Sequence, residues 1–221
     1  MLRSLVGSEM CIRDRENTMQ AYTVINGKDI ASLALVTREP QALGPHDVRV
    51  RINAVSLNFR DLMVARGDYL QGASSPVIPA SDAAGEVIEV GKAVTRFAPG
   101  DRVMGSFFPD WIDGDATPAT TRVAPGAATD GVLSTERVFA ETALAATPPS
   151  LSDEQASTLP CAAVTAWNAL FVAGGAKAGH TALFLGTGGV SVWGLQLAKA
   201  AGLRAIITSS SASKLERARA M

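Results

Sequence analysis

Cysteine is nearly absent from this sequence, which has only Cys11 and Cys161 among 221 residues. Two isolated cysteines provide neither a disulfide framework nor a Cys-x-x-Cys metal pair, so we predict a cytoplasmic, reducing setting. An excess of one charge is also lacking, because 20 basic residues are balanced by 21 acidic ones and no basic cluster occurs. This balance predicts no nucleic-acid partner.

Long apolar runs are missing as well. No uninterrupted run approaches the roughly 20 residues that span a bilayer, so we predict a soluble protein without a membrane partner. The hydrophobic content is nevertheless 47%. That content at this length is sufficient for one large domain or two small ones with a substantial core.

The first eighteen residues, 1–18, show no usable periodicity. The segment from Ser8 to Arg15 resembles translated sequencing-adapter contamination, and it lacks the apolar core of a secretory signal. We interpret residues 1–18 as a non-native leader. The native chain then starts at Met19.

Residues 19–147 have the pattern of short strands and turns. Apolar and polar residues alternate from Val48 to Ala54, which predicts a half-buried strand. A second strand is predicted over residues 86–90. Residues 110–131 are rich in Ala, Thr, Pro, Gly and Asp, which predicts a long loop-like insertion.

Residues 148–221 have a different pattern. Pro148 and Pro149 break the chain, and residues 152–155 have the spacing of a capping box. Helical sequence follows, then an apolar strand over residues 182–185, a glycine-rich turn, a helix and a second strand over residues 205–208. This order is that of a βαβ unit that presents backbone N–H groups to a dinucleotide.

The glycine turn supplies the predicted diphosphate site. We expect Gly186 to permit the tight turn, Gly188 to let a phosphate approach the backbone, and Gly189 to keep the helix entrance free of side chains. Val190 contributes a main-chain amide. Ser191 replaces the third glycine of Gly-x-Gly-x-x-Gly, and its hydroxyl is a further candidate donor.

The end of the second strand predicts the cofactor. An acidic residue there would bind the ribose 2′-OH of NAD, whereas hydroxyls and cations hold the 2′-phosphate of NADP. Ser209, Ser210 and Lys214 occupy this segment, so we predict NADP(H). An alternative stays open, in which Ser210 or Ser211 caps the last helix and Lys214 is a solvated charge.

The order of five motifs resembles the medium-chain dehydrogenase/reductase superfamily. The resemblance implies an α/β protein in which a GroES-like β-rich catalytic domain, residues 19–147, precedes a Rossmann domain. Residues 148–221 supply only the first part of its doubly wound parallel sheet. The motifs are residues 57–61, 79–91, 99–103 and 159–167, together with the glycine turn.

The positions of the catalytic zinc ligands differ from those of zinc alcohol dehydrogenases in this superfamily. They carry Asn58, Ser81 with Asp82, and Cys161, and one thiolate does not replace three ligands. The resemblance therefore implies the zinc-independent, quinone oxidoreductase-like branch, with no metal.

Hydrogen-bond donors must then stabilise the oxyanion, and our candidates are Asn58, Tyr69 and Ser81. Tyr69 is the candidate proton donor, and Thr165 matches the family threonine at the nicotinamide. Simpler structural roles stay open for these residues: an exposed aromatic for Tyr69, a loop amide for Asn58 and a hydrogen bond to the preceding turn for Thr165. We expect Arg60 and Asp61 to form a structural ion pair.

The resemblance implies an NAD(P)H-dependent oxidoreductase that transfers a hydride to a small-molecule quinone, enone or aldehyde. A zinc-free enoyl reductase for acyl thioesters is a related possibility. Two alternatives stay open: a non-catalytic dinucleotide-binding protein and an inert fragment of such an enzyme. We expect a homodimer for the full-length protein and no activity for the 221-residue chain by itself.

Overall fold

The computed structural model describes residues 18–69 and 76–221. They belong to two compact units, of which the first ends at Ser157 and the second spans Thr158–Met221. The predicted leader lies outside the described residues, except for Thr18. The boundary between units comes later than the domain boundary predicted near Thr147, which stays a prediction. The combination of a curled antiparallel sheet with α-helices confirms the predicted α/β class.

The first unit is built from antiparallel strands. The strands are β1 (Met19–Ile25), β2 (Ala34–Arg38), β3 (Asp47–Ser56), β4 (Pro76–Val77), β5 (Asp82–Val90), β6 (Arg102–Gly105), β7 (Glu136–Ala140) and β8 (Leu144–Ala146). They form two sheets, with strand orders β2-β1-β4 and β7-β3-β5-β6-β8. The α-helices of this unit are α1 (Phe59–Arg66) and α2 (Asp153–Ala156), and short 3-10 helices cover Ile30–Ser32 and Glu141–Ala143.

The alternation predicted around Val48 is that of strand β3. Val48 and Val50 are 0% and 2% exposed and lie in the main core, where burial of a valine side chain contributes about 1.5 to 3 kcal/mol. Arg49, between them, points the other way and bonds Glu89 and Glu136 of the neighbouring strands at 2.9 and 2.8 Å. The period of two therefore separates core from surface, as the sequence predicts.

The register of β3 and β5 brings two predicted site segments together. Ser56, the last residue of β3, pairs with Asp82, the first residue of β5. Asn58 follows β3, and Ser81 precedes β5. Both candidate residues therefore lie at the same end of this strand pair.

The predicted loop insertion contains no helix or strand in the described structure. The end of this loop packs against the segment before β5. Ala80 has φ 67°, a left-handed conformation that is uncommon for alanine. A Cβ atom at Gly126 or Gly131 would overlap the Ala80 backbone. Val132 donates its N–H to the Ala80 carbonyl at 3.0 Å. Close backbone contact on this side holds Ala80, and with it the adjoining Ser81.

The second unit contains a βαβ arrangement. Strands β9 (Thr181–Phe184) and β10 (Arg204–Ile207) are parallel and paired, and they are joined by α4 (Gly189–Ala200). A Cβ atom at Gly194 would overlap the Phe184 ring, so glycine lets α4 pack closely on β9. The remaining helices are α3 (Val164–Trp167) and α5 (Ala212–Arg219), with π-helical turns at Leu159–Ala163 and Asn168–Ala173.

Helical backbone from Asp153 to Ala173 forms a longer apolar stretch than the sequence analysis allowed. It has 21 residues and a mean hydropathy of 1.3, which by length and composition is enough to cross a membrane. The core helix of a soluble protein passes the same test. The stretch is therefore weak evidence, and the absence of a membrane partner stays a prediction.

Candidate functional site

The glycine turn lies between β9 and α4, and its first two glycines leave space beside the main chain. Gly186 has φ 83°, in the left-handed region that favours glycine. Gly188 is the N-cap of α4, with φ −79° and ψ 176°. A Cβ atom on either residue would meet no heavy atom within 4 Å. The space that a phosphate would need is therefore open.

The amino terminus of α4 offers main-chain donors to this space. No side chain caps this helix end, and the first N–H groups of an α-helix have no partner within the helix. Val190, in the first turn, is 42% exposed. A cavity of about 430 Å³ adjoins the turn, and Leu185, Val190 and Ser191 are among its lining residues. With the helix dipole, this end has the chemistry of an anion site.

Hydroxyl groups tie the end of β10 to the glycine turn. The Gly186 N–H donates to Thr208 Oγ1 at 3.1 Å, and the hydroxyls of Thr187 and Ser209 lie 3.1 Å apart. Ser209 Oγ also accepts the Ser211 N–H at 3.2 Å. The sequence analysis missed Thr208 and Thr187. Their signal was that Thr208 ends one predicted strand and Thr187 follows the other by two residues, where a hydroxyl reaches the neighbouring turn.

The other predicted cofactor residues differ in their surroundings. The Ser191 hydroxyl donates to the Leu185 carbonyl at 3.3 Å, so it holds the turn. Ser210 and Lys214 are exposed. Ser211 occupies the N-cap position of α5, but its side chain makes no capping bond. Of the alternative in which Ser210 or Ser211 caps this helix, the structure therefore bears out the N-cap position of Ser211 and shows no capping bond from its hydroxyl.

Thr165 lies on α3, near the glycine turn. A Cβ atom on Gly189 would be 3.6 Å from Cβ of Ala162, which precedes Thr165 by about one helical turn. Residues three apart share a helix face, and Thr165 is itself exposed. The contact of Thr165 with the nicotinamide stays a prediction.

In the first unit, Asn58 is the N-cap of α1. Its N–H donates to Asp61 Oδ2 at 2.8 Å, so the Asp61 carboxylate caps the helix. Asn58 Nδ2 is buried, with no hydrogen-bond partner among the described residues. Burial raises the pKa of the Asp61 carboxyl, and the Asn58 N–H and the Arg60 charge partly offset this shift.

Ser81 and Asp82 form a buried pair at the start of β5, with 1% and 0% exposure. The Ser81 hydroxyl donates to Asp82 Oδ1 at 2.6 Å. A hydroxyl has one proton, so in this arrangement Ser81 has none left for an oxyanion. Asp82 orients Ser81.

Tyr69 follows α1 and is 41% exposed. The Arg60 guanidinium lies over its ring, with 4.7 Å from Cζ to the ring centroid. Arg60 bonds the carbonyls of Ala124 and Pro125 at 3.3 and 2.8 Å. The predicted ion pair between Arg60 and Asp61 is therefore wrong, because the guanidinium is directed at the ring and at the loop carbonyls.

The residues at the positions of the zinc ligands do not fit the metal. A catalytic zinc needs three protein ligands. Within residues 18–69 and 76–221, no group of three His, Cys, Asp or Glu side chains has a metal-binding arrangement. Asn58 presents an amide, and Ser81 donates its proton to Asp82. The chemistry considered below therefore includes no zinc-dependent step.

Comparisons with known proteins identify similar sequences. Residues 44–149 match the model of the alcohol dehydrogenase GroES-like domain. A zinc-type alcohol dehydrogenase-like protein of Schizosaccharomyces pombe is 46% identical over 179 residues, which are 80% of this chain and 52% of that protein. Acryloyl-coenzyme A reductase of Metallosphaera sedula is 32% identical, over 76% of this chain and 52% of the reductase. The chain spans about half the length of these relatives.

Solved structures share the fold. A protein of Sinorhizobium meliloti 1021, assigned as an alcohol dehydrogenase, is 45% identical and aligns with a TM-score of 0.83 over 92% of this chain and 60% of its own. A quinone oxidoreductase of Pseudomonas syringae is 30% identical, with a TM-score of 0.74 over 91% of this chain and 56% of its own.

Proposed function

Because this chain belongs to the medium-chain dehydrogenase/reductase superfamily, we propose that it is part of an NAD(P)H-dependent oxidoreductase. The reaction is hydride transfer to an activated carbonyl or alkene of a small molecule, such as a quinone, an enone or an aldehyde. The observation that carries this proposal is the open glycine turn before the uncapped α4. The main-chain amides of Gly188, Gly189 and Val190 would hold the dinucleotide diphosphate there, beside the tight turn that Gly186 permits.

The cofactor in this proposal is NADP(H). No acidic residue lies between β10 and Lys214 to bind a ribose 2′-OH. Ser210 and Lys214 are exposed at this edge, and Ser209 lies beside Thr187. These groups would hold the 2′-phosphate by hydrogen bonds and charge, while Thr165 would contact the nicotinamide.

The catalytic step in this proposal needs no zinc, as in the quinone oxidoreductase-like branch. The reduced nicotinamide, when bound, supplies the hydride. Negative charge then develops on the substrate oxygen, and oriented donors stabilise it. Asn58 Nδ2 has no partner among the described residues and is the candidate donor. Ser81 would act only if its bond to Asp82 opened, and the hydroxyl of Tyr69 is the candidate proton donor.

The test uses the product of the complete reading frame that contains this chain. NADPH and NADH oxidation would be followed with quinones, enones, aldehydes and enoyl thioesters. The thioesters belong in the panel because a relative is an acryloyl-coenzyme A reductase. We expect faster turnover with NADPH and no loss after dialysis against a zinc chelator. Binding without any turnover would instead support the non-catalytic alternative. A cytoplasmic location and a homodimer belong to the same proposal.

A further inference from the structure

We propose that Arg60 is a positioning residue that fixes the Tyr69 ring against the loop of residues 110–131. This inference rests on the proposed function, in which Tyr69 is the candidate proton donor. Arg60 itself does not need to touch substrate or cofactor. Its role is to fix the position of the Tyr69 hydroxyl.

The guanidinium lies between two aromatic rings. Its Cζ atom is 4.7 Å from the centroid of Tyr69 and 5.0 Å from that of Phe107. Both distances lie within the roughly 6 Å range of cation–π attraction. The planar guanidinium stacks on aromatic faces in a way that an ammonium group does not.

The edge of the same guanidinium is held by the loop. Nη1 donates to the Pro125 carbonyl at 2.8 Å, and Nη2 donates to the Ala124 carbonyl at 3.3 Å. Among the described residues, no carboxylate lies within ion-pair distance of Arg60. The two carbonyls therefore hold the guanidinium in place between the two rings.

The loop that holds Arg60 is itself fixed close to the predicted site. Gly126 packs against the Ala80 backbone, next to Ser81. One guanidinium thus links helix α1, the loop and Tyr69. In the part of the chain that the structure describes, no hydrogen bond anchors the Tyr69 hydroxyl, and the Arg60 guanidinium lies over the ring of this side chain.

The composition of the chain provides a direct test. Tyr22 and Tyr69 are the two tyrosines, and both are 41% exposed. A chain labelled with 3-fluorotyrosine therefore gives two ¹⁹F resonances, and Tyr22 is an internal control. Arg60→Met removes the positive charge and both hydrogen bonds but keeps a side chain of similar length. Arg60→Lys keeps the positive charge but lacks the planar guanidinium that donates the two hydrogen bonds. Arg51→Met removes a surface arginine that pairs with Glu86.

In Arg60→Met we expect the Tyr69 resonance to move by more than its linewidth. Its H₂O/D₂O isotope shift should rise toward that of free 3-fluorotyrosine, while Tyr22 stays unchanged. Arg60→Lys should give an intermediate position, and Arg51→Met none of these changes. An unmoved Tyr69 resonance in folded Arg60→Met, or an equal movement in Arg51→Met, would overturn the proposal.

A second variant keeps the proposal testable if Arg60→Met does not fold. Phe107→Leu removes the ring on the other side of the guanidinium, and we expect it to move the Tyr69 resonance as well. An unmoved Tyr69 signal in both Phe107→Leu and Arg60→Lys would overturn the proposal. The NMR readout needs no catalysis. If the Tyr69 resonance moves as expected but the complete gene product turns over no substrate, the proposed function is contradicted and the positioning role of Arg60 stands.

Discussion

At the scale of single residues, Gly186 and Gly188 are glycine for different reasons. Gly186 has φ 83°, which side chains disfavour, whereas the backbone of Gly188 lies in a region open to any residue. The space beside Gly188 is empty in the structure. Its glycine is therefore not explained by folding, but a phosphate that approaches the backbone would explain it.

Gly188→Val should separate binding from stability. We expect the free energy of unfolding to fall by no more than about 1 kcal/mol, since the change affects only the N-cap preference. NADPH binding should weaken at least about tenfold, because the new side chain fills the phosphate space. Denaturant unfolding and a fluorescence titration of the complete gene product would measure the two effects. Unchanged NADPH affinity would contradict the predicted diphosphate site.

Lys214 tests the choice of cofactor. Lys214→Glu replaces an exposed cation beside the end of β10 with an anion, which would repel a 2′-phosphate. We expect the ratio of kcat/KM for NADPH to that for NADH to fall about tenfold. Lys177→Glu, at another exposed lysine of the second unit, is the matched control. An equal effect of both variants would mean that Lys214 has no specific role.

At the scale of elements, the βαβ arrangement depends on the close approach of α4 and β9. Gly194 faces the Phe184 ring at this contact, and Leu195 and Ala198 of the same helix are buried. The third glycine of a Gly-x-Gly-x-x-Gly turn ordinarily permits this close packing of helix on strand, and Ser191 occupies that position here. The structure gives it to Gly194, and Ser191 bonds the Leu185 carbonyl.

Gly194→Val should destabilise the second unit. Added methyl groups in a packed contact typically cost about 1 to 3 kcal/mol, and here they would overlap the ring of Phe184 on β9. Gln196→Val, at an exposed position of the same helix, should change the free energy of unfolding by less than about 0.5 kcal/mol. Urea unfolding of both variants gives the comparison. Equal stability of the two would show that α4 does not pack on β9 as described.

At the scale of the whole molecule, buried acidic groups link stability to pH in opposite directions. Hydrogen bonds from the Thr95 N–H, then from the Arg96 N–H and His46, lower the pKa of the Glu141 carboxyl. Burial raises the pKa of Asp61. The ionised form of Glu141 therefore stabilises the folded state, whereas for Asp61 the protonated form is the one that the folded state favours.

The contribution of Glu141 is present above its unfolded pKa of 4.5 and is lost as the pH falls through its lower folded value. Glu141→Gln should therefore lower the free energy of unfolding near pH 7 and flatten its decline on acidification. Glu39→Gln, at an exposed carboxylate, serves as control. Denaturant unfolding between pH 7 and pH 3 tests this prediction. An unchanged pH slope in Glu141→Gln would contradict it.

Much of this protein is readable in its sequence because the signals are local. The alternation around Val48 predicts β3, and the apolar run before Gly186 predicts the strand that leads into the turn. Turn chemistry and the period of two act over a few neighbouring residues. Five motifs in order sufficed to identify the family. The roles of Asn58, Tyr69, Ser81 and Thr165 stay predictions.

Tertiary structure decided what depends on residues far apart in the chain. The partner of Arg60 is one example: the neighbouring Asp61 suggested an ion pair, yet the guanidinium contacts Tyr69, Phe107 and the carbonyls of a loop more than 60 residues away. The contact of Gly194 with Phe184 and the bond of Thr208 to Gly186 are others. Sequence determines local backbone preference, but which groups meet depends on how strands pair and helices pack.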